Sequence, residues 1–257
     1  MSTLTYAARD SGTMIRRQLK RLIRYPSMTI QLVVTPVILL LVFVYVFGGT
    51  LGAGLGGGRD TYVNYVVPGI LLMAVGTAAT GTAVMVATDM TEGIIARFRT
   101  MRIWRPSILT GHVAGAVIQQ LLGMTVLIGV ALAMGFHPNA TAIEWLAATG
   151  LLTLFVVAIT WLSVALGLKA QTPEAASNAP MPLILLPFLG SGFVPTDSMP
   201  TALRWFAEYQ PFTPIMETIR GLLLATPIGN SATIATAWCV AIAALSYLWA
   251  KNTFNKA

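Results

Sequence analysis

Charged residues are scarce in this sequence. Only 10% of the 257 residues are Asp, Glu, Lys or Arg, while 56% are hydrophobic, and soluble domains carry roughly 25% charged residues. A mean hydropathy of +0.74 exceeds what a single soluble core of this size can bury. The composition excludes an ordinary soluble domain and predicts an all-α polytopic membrane protein.

Residues for metal, redox and nucleotide chemistry are also missing. The one cysteine, Cys239, allows neither an intrachain disulfide nor a cysteine-based zinc or iron–sulfur site. None of the four lysines is followed by Ser or Thr, so the phosphate-binding loop of an ATPase is absent. We predict a chain that is not an enzyme and holds no cofactor. The formal net charge of +7 is attributed to the basic residues that set the orientation of a membrane protein, so no nucleic-acid partner is expected.

Two other chemistries are disfavoured by position. Ser191 lies between Gly190 and Gly192, as in an intramembrane serine protease, but residue 188 is Phe and neither histidine lies deep in an apolar stretch. No two carboxylates lie within one such stretch, which disfavours a proton relay. The sequence fits better a transporter whose energy comes from a process outside the membrane-spanning helices.

Six stretches lack charged residues over about the 20 positions that a helix needs to cross the bilayer. The sequence predicts spans at residues 28–47, 62–88, 111–135, 145–168, 175–194 and 229–250. Pro180, Pro182 and Pro187 each remove a backbone donor from the fifth. We predict that this span is a broken helix buried in the bundle.

Basic residues predict the orientation. With the N-terminus inside, the cytoplasmic segments carry 13 Lys and Arg and the outer segments carry 3, as the positive-inside rule requires. Both termini are therefore predicted to be cytoplasmic in a multi-pass protein of the cytoplasmic membrane.

Three connecting segments have patterns of their own. Residues 4–25 place apolar and basic side chains on opposite faces, which predicts an interfacial amphipathic helix on membrane lipid; a plain topology anchor is the alternative. Residues 195–228 contain apolar stretches too short to span, which predicts an outer re-entrant segment with solvated pairs among Arg204, Glu208, Glu217 and Arg220. The glycine-rich residues 48–58 are predicted to form a flexible outer loop.

The cytoplasmic segment 89–110 is the most informative. Ile94, Ile95, Phe98 and Met101 recur at helical spacing, and Pro106 stops the pattern. Apolar and aromatic side chains on a cytoplasmic hairpin need a surface to bury against. The pattern favours a docking element for a soluble subunit, with solvated topology determinants as the alternative.

These residues resemble the type 2 ABC exporter permeases, in particular their daunorubicin-resistance branch. The resemblance rests on residues 93–101 and 109–111, and on residues 173–176, 186–187, 191–195, 199–200, 211–214 and 220–221. Ala96 and Arg102 depart from the branch, where an acidic residue and a proline are common.

The resemblance implies half of a transporter. Two copies, or one copy and a similar permease, would pair with two ATP-binding cassette ATPase subunits, which bind ATP and magnesium. The first and fifth spans would line the dimer interface and substrate path. By the same resemblance, coupling to the ATPase is assigned to Glu92, Gly93, Arg97, Phe98, Arg99 and Met101. Glu92 could instead cap a helix start.

The sequence predicts a permease subunit that exports hydrophobic or amphipathic molecules, drug- or lipid-like. The alternatives are a polysaccharide or glycolipid exporter and a membrane scaffold or sensor without transport. Polar residues within the spans are candidates for the substrate path, although hydrogen bonding between helices explains them equally; they are Gln31, Thr35, Thr77, Thr80 and Ser191.

Overall fold

The computed structural model describes residues 12–13, 16, 20, 24, 26–93 and 106–256. Within these ranges the regular structure is helical, without a strand, so the predicted all-helical fold is confirmed. The first helix, α1, is Pro26–Leu41, and it continues through a π-helical turn, Val42–Phe47, into α2, Gly48–Gly54.

The remaining helices follow in chain order, with a 3₁₀ turn at Thr196–Ser198. They are α3, Arg59–Thr91; α4, Pro106–Ala133; α5, Ala142–Lys169; α6, Pro173–Asn178; α7, Met181–Leu185; α8, Thr201–Tyr209; α9, Phe212–Leu224; and α10, Ser231–Lys256.

Five helices within the described ranges are long and apolar enough to cross a membrane. They are Leu32–Gly54, Arg59–Thr91, Leu109–Ala133, Ala142–Lys169 and Ser231–Phe254, and they lie where five of the six spans were predicted. The predicted flexible loop at 48–58 is wrong for residues 48–54, which extend the first helix. Position 52 requires glycine, because the chain turns back after α2 and the backbone of Gly58 occupies the place of a Gly52 side chain.

The centre of the bundle is formed by α3 and α5. In the most apolar stretch of each of these two helices, 67% of the residues are buried. The corresponding share is 17–22% in the first, third and last spanning helices. Phe155 of α5 meets Phe212 of α9 edge to face at 5.1 Å between ring centroids. The peripheral helices therefore present apolar faces to the surroundings, as a protein in lipid requires.

The proline-containing segment lies along α3 in the antiparallel direction. Ala176 packs with Ala83 and Ala87 at one end, and the Leu183 backbone lies at Gly76. Pro180 separates α6 from α7, and residues 186–193 form turns. The prediction that this segment is buried in the bundle holds on one side only, because Met181 is 57% exposed and Leu185 is 50% exposed.

We expect Gly69→Ala to destabilise the bundle, because its new Cβ would lie 2.5 Å from the carbonyl oxygen of Gly192. Two backbones must then separate, and overpacking of this kind costs about 1–3 kcal/mol. The apparent melting temperature of the purified chain in detergent should fall by several degrees. Gly81→Ala is the matched control on the same helix, since nothing lies within 4 Å of its Cβ position. An equal response from both variants would contradict this account.

Candidate functional site

A cavity of about 520 Å³ lies among α1, α3 and α4, with Ile184 of α7 at its edge. Its size falls in the range of small-molecule sites, roughly 300–1,000 Å³. The described lining is apolar with interspersed hydroxyl, amide and imidazole groups, and it contains no Asp, Glu, Lys or Arg. The lining residues are Leu32, Thr35, Thr77, Ala78, Thr80, Gly81, Thr82, Val84, Met85, Thr88, His112, Gly115, Ala116, Gln119, Gln120 and Ile184.

Three of the predicted path residues meet in this cavity. Thr35 comes from α1, and Thr77 and Thr80 come from α3. Ser191 lies elsewhere, in the turn that follows α7, where its buried Oγ has no partner among the described residues. The side chain of Gln31 lies outside the described part of the chain.

Sequence reasoning missed five polar residues of the cavity wall. Each is a polar or titratable residue inside a predicted span, so the signal that found Thr77 and Thr80 was present at these positions too. The structure adds Thr82, Thr88, His112, Gln119 and Gln120.

The hydroxyl protons of several wall threonines are held by the backbone of α3. The Thr77 hydroxyl donates to the Met73 carbonyl at 3.1 Å. Those of Thr82 and Thr88 donate to the carbonyls four residues earlier, at 3.2 Å and 2.9 Å. These threonines therefore offer only oxygen lone pairs to anything that enters the cavity.

Gln120 joins the cavity to α5. The side chain is 5% exposed, and its Nε2 donates to the Thr160 hydroxyl at 3.3 Å. Two buried wall atoms have no hydrogen-bond partner among the described residues, namely Oε1 of Gln120 and Oγ1 of Thr80. Buried polar atoms in folded proteins are normally paired, so these two stand out.

A buried contact between Asp89 and His112 closes one end of the site. The Asp89 Oδ2 and His112 Nε2 atoms are 3.2 Å apart, and both side chains are at least 97% buried. Asp89 lies in the last turn of α3 and His112 in the second turn of α4. The contact therefore joins the two helices on either side of residues 94–105.

Two of the predicted coupling residues, Glu92 and Gly93, lie at this end. Glu92 is exposed and directly follows α3, and Gly93 ends the helix at φ +70°, a conformation that favours glycine. Glu92 thus lies at a helix C-terminus, where the macrodipole does not favour a carboxylate. The other coupling residues, Arg97, Phe98, Arg99 and Met101, lie outside the described part of the chain.

At the opposite end, Arg220 connects three elements. Its guanidinium donates to the Tyr65 carbonyl of α3 at 3.2 Å and to the Ser191 carbonyl at 2.6 Å. It also lies 3.8 Å from the centre of the Tyr65 ring, in cation–π geometry. The predicted solvated pairing is wrong for Arg220, because two inward carbonyls and a ring surround it.

Comparison with known proteins decides the family. Residues 10–224 match the model of the ABC-2 type transporter family. This chain is an ABC-2 type transporter protein. The match covers the whole cavity wall, the Asp89–His112 contact and Arg220, and it confirms the resemblance found in the sequence.

Two relatives of this ABC-2 protein carry names from drug resistance, and a third is named for nodulation. The daunorubicin resistance ABC transporter permease protein DrrB1 of Streptomyces coeruleorubidus is 28% identical, over 79% of this chain and 70% of the relative. A probable doxorubicin resistance permease, DrrC of Mycobacterium tuberculosis, is 22% identical over 66% of this chain and 62% of its own. Nodulation protein J of Rhizobium leguminosarum is 28% identical over 73% of each chain.

Family membership and the apolar helices together make this ABC-2 permease a multi-pass membrane protein. The family implies an ABC ATPase as partner. The cavity, the Asp89–His112 contact and the Arg220 cluster therefore belong to a transport subunit.

Proposed function

We propose that this chain is the membrane-spanning subunit of an ATP-driven exporter of hydrophobic or amphipathic molecules, drug- or lipid-like. The observation that carries the proposal is the cavity of about 520 Å³ between helices of spanning length. Its wall mixes apolar side chains with uncharged hydrogen-bonding groups, which suits a ligand that has an apolar body and a few polar atoms.

The partners in this proposal are two ATP-binding cassette ATPase subunits and a second permease, identical or similar. Residues 94–105 lie between α3 and α4 and form the cytoplasmic coupling element, so both termini are also cytoplasmic. The exposed helical residues Arg16, Lys20 and Arg24 are spaced four apart. A basic stripe of this kind suits anionic lipid at the inner surface.

The proline-containing segment is proposed as a sixth, broken crossing. It follows α3 from Ala87 to Gly69, which at 1.5 Å per residue is about 27 Å and close to the thickness of the hydrocarbon core. Helices α8 and α9 then form the outer re-entrant segment.

The cavity also bears on the alternatives. A carrier of polysaccharide or glycolipid would need aromatic side chains for sugar stacking, and the described cavity wall contains no Phe, Tyr or Trp. A scaffold or sensor without transport has no need of a partly polar cavity inside its spanning helices. The exporter of apolar or amphipathic molecules accounts for both features.

Coupling would run through the helix ends beside residues 94–105. Closure of the two ATPases moves this segment, and the ends of α3 and α4 move with it because Asp89 and His112 hold them together. The cavity wall is built from the same two helices, so the ATPase cycle would bias the cavity between inward and outward states.

Purification of the tagged chain from its native host in mild detergent tests the proposal. We expect an ATP-binding subunit to copurify in equal amount, with vanadate-sensitive ATPase activity. Glu92→Gln and Phe98→Ala should each lower transport-stimulated ATPase activity at least about fivefold, without loss of the ATPase subunit, because they alter the coupling segment.

The matched controls are Phe206→Ala and Glu208→Gln, the same two changes on α8 at the opposite end, and both should keep full activity. A stable chain that never brings an ATPase subunit with it would favour the scaffold or sensor. Full coupled activity in both test variants would remove Glu92 and Phe98 from the coupling element.

A further inference from the structure

We infer that the cavity selects ligands that donate hydrogen bonds, namely amphipathic molecules with N–H or O–H groups beside an apolar body, and that Gln120 provides the selectivity. This inference rests on the proposed function, since it names the chemical class that the exporter takes. It is derived from the direction of the hydrogen bonds in the cavity wall.

The α3 side of the wall presents acceptors. Thr77, Thr82 and Thr88 all donate their hydroxyl protons to carbonyls of their own helix. Each hydroxyl has one proton and two lone pairs, so these three oxygens can accept from a ligand and cannot donate to it. Their spacing along α3 extends this property through much of the cavity.

The amide orientation of Gln120 is determined by its neighbour on α5. The Thr160 hydroxyl donates to the Val156 carbonyl at 2.6 Å, so its proton is committed and it can only accept. The group of Gln120 that faces Thr160 must then be the NH₂. The carbonyl oxygen Oε1 is left at the cavity wall without a partner among the described residues.

The energetic consequence favours a donor in the cavity. An unpaired buried acceptor costs about 1–3 kcal/mol, and a ligand N–H or O–H beside Oε1 of Gln120 removes that cost. Thr80, whose Oγ1 is also buried without a described partner, can either accept or donate. No Lys or Arg lies in the described wall, so a ligand that only accepts finds few donors.

A matched pair of fluorescent amphipaths tests the inference. Rhodamine 6G and tetramethylrhodamine ethyl ester share the xanthene core, the ethyl ester and the single positive charge, and only rhodamine 6G has N–H donors. Rhodamine 6G also carries two ring methyl groups, which add apolar contact, so the variants below separate the part of the preference that comes from hydrogen bonds. Binding to the purified chain in lipid nanodiscs is measured by fluorescence polarisation, with empty nanodiscs subtracted. We expect rhodamine 6G to bind at least about fivefold more tightly, as one or two added hydrogen bonds would give.

Variants then locate the preference. Gln120→Leu should weaken rhodamine 6G binding by roughly 3–10-fold, the value of about one hydrogen bond, and leave the binding of tetramethylrhodamine ethyl ester unchanged. Thr80→Val should leave the ratio of the two affinities unchanged, because the Thr80 hydroxyl can accept or donate. Thr153→Val is the control outside the cavity wall, because Thr153 lies half-buried on α5 and donates to the Thr149 carbonyl. If Gln120→Leu fails to fold, Gln120→Met, which also lacks the amide carbonyl, carries the test.

The inference is overturned if the two probes bind equally, if neither binds, or if Gln120→Leu leaves the ratio of the two affinities unchanged. Copurification of an ATPase subunit separates this failure from that of the proposed function. A chain that copurifies with an ATPase subunit but shows no preference for donor ligands remains an exporter permease with another selectivity. A chain that shows the preference without an ATPase keeps the binding site and loses the transport role.

Discussion

Replacement of Arg220 by methionine is expected to lower the apparent melting temperature of the purified permease by about 5–15 °C. The side chain holds the Tyr65 carbonyl of α3 and the Ser191 carbonyl of the turn after α7. Removal of the guanidinium leaves these carbonyls without their charged donor, at a cost of roughly 2–4 kcal/mol. For a chain of this size each kcal/mol corresponds to about 2–4 °C.

The large effect expected at Arg220 comes from its position inside the protein and does not depend on the number of its charged partners, as a comparison with Arg204 makes clear. Arg204 on α8 pairs with both Glu208 at 2.7 Å and Asp197 at 2.6 Å. The hydrogen bond that Arg204 donates to Glu208, together with the negative charges of Asp197 and Glu208, raises the pKa of Arg204. Yet Arg204 is exposed, and ion pairs in solvent stabilise proteins little.

Arg204→Met is therefore the matched control, and its melting temperature should equal that of the unaltered chain. Arg220→Lys should behave much like Arg220→Met, because one ammonium cannot bridge two carbonyls and stack on a ring. The account of Arg220 as the connection between α9, α3 and the turn fails if Arg204→Met destabilises the chain as much as Arg220→Met.

Substitution of either partner in the buried Asp89–His112 contact is also expected to lower the stability of the permease strongly. Asp89→Leu leaves the imidazole buried without its carboxylate, and His112→Leu leaves a buried carboxylate without the imidazole. Loss of a hydrogen-bonding partner in the buried interior costs about 1–3 kcal/mol. The apparent melting temperature of each single variant should fall by several degrees.

The double variant distinguishes this contact from two independent effects. Asp89→Leu with His112→Leu removes both polar groups, so its loss of stability should be clearly smaller than the sum of the two single losses. We expect the double variant to retain its ATPase subunit but to lose several-fold in transport-stimulated ATPase activity.

His137→Leu is the control for the histidine change, since His137 is exposed beyond the other end of α4. Its stability and coupled activity should match those of the unaltered chain. Strict additivity of the two single losses would show that Asp89 and His112 act separately. Full coupled activity in the double variant would remove this contact from the coupling path.

The two contacts mark the ends of one helix. Tyr65 and Asp89 both belong to α3 and are about 36 Å apart at 1.5 Å per residue. The cavity lies on the same helix between them, with Thr77, Thr80, Thr82 and Thr88 in its wall. A shift of α3 at the Asp89 end would therefore act on the cavity and on the Arg220 cluster together.

The sequence alone determined the class of this protein and the positions of five long apolar helices. Long apolar stretches without charge can be satisfied only as helices in lipid, so the all-helical fold follows from composition and spacing. The family also followed from the sequence, because its motifs at 93–101 and 173–221 are local. Polar residues in the spans indicated a path, and three of them, Thr35, Thr77 and Thr80, do line one cavity.

Only the tertiary structure decided which polar residues meet and what they offer to a ligand. Ser191 and Thr80 look equivalent in the sequence, yet one lies in a turn beside Arg220 and the other in the cavity wall. Asp89 and His112 are 23 positions apart in sequence, and the packing of α3 on α4 brings their side chains to 3.2 Å. The Gln120 amide takes its direction from Thr160, 40 residues away. Hydrogen-bond direction depends on three-dimensional neighbours, which spacing along the chain does not encode.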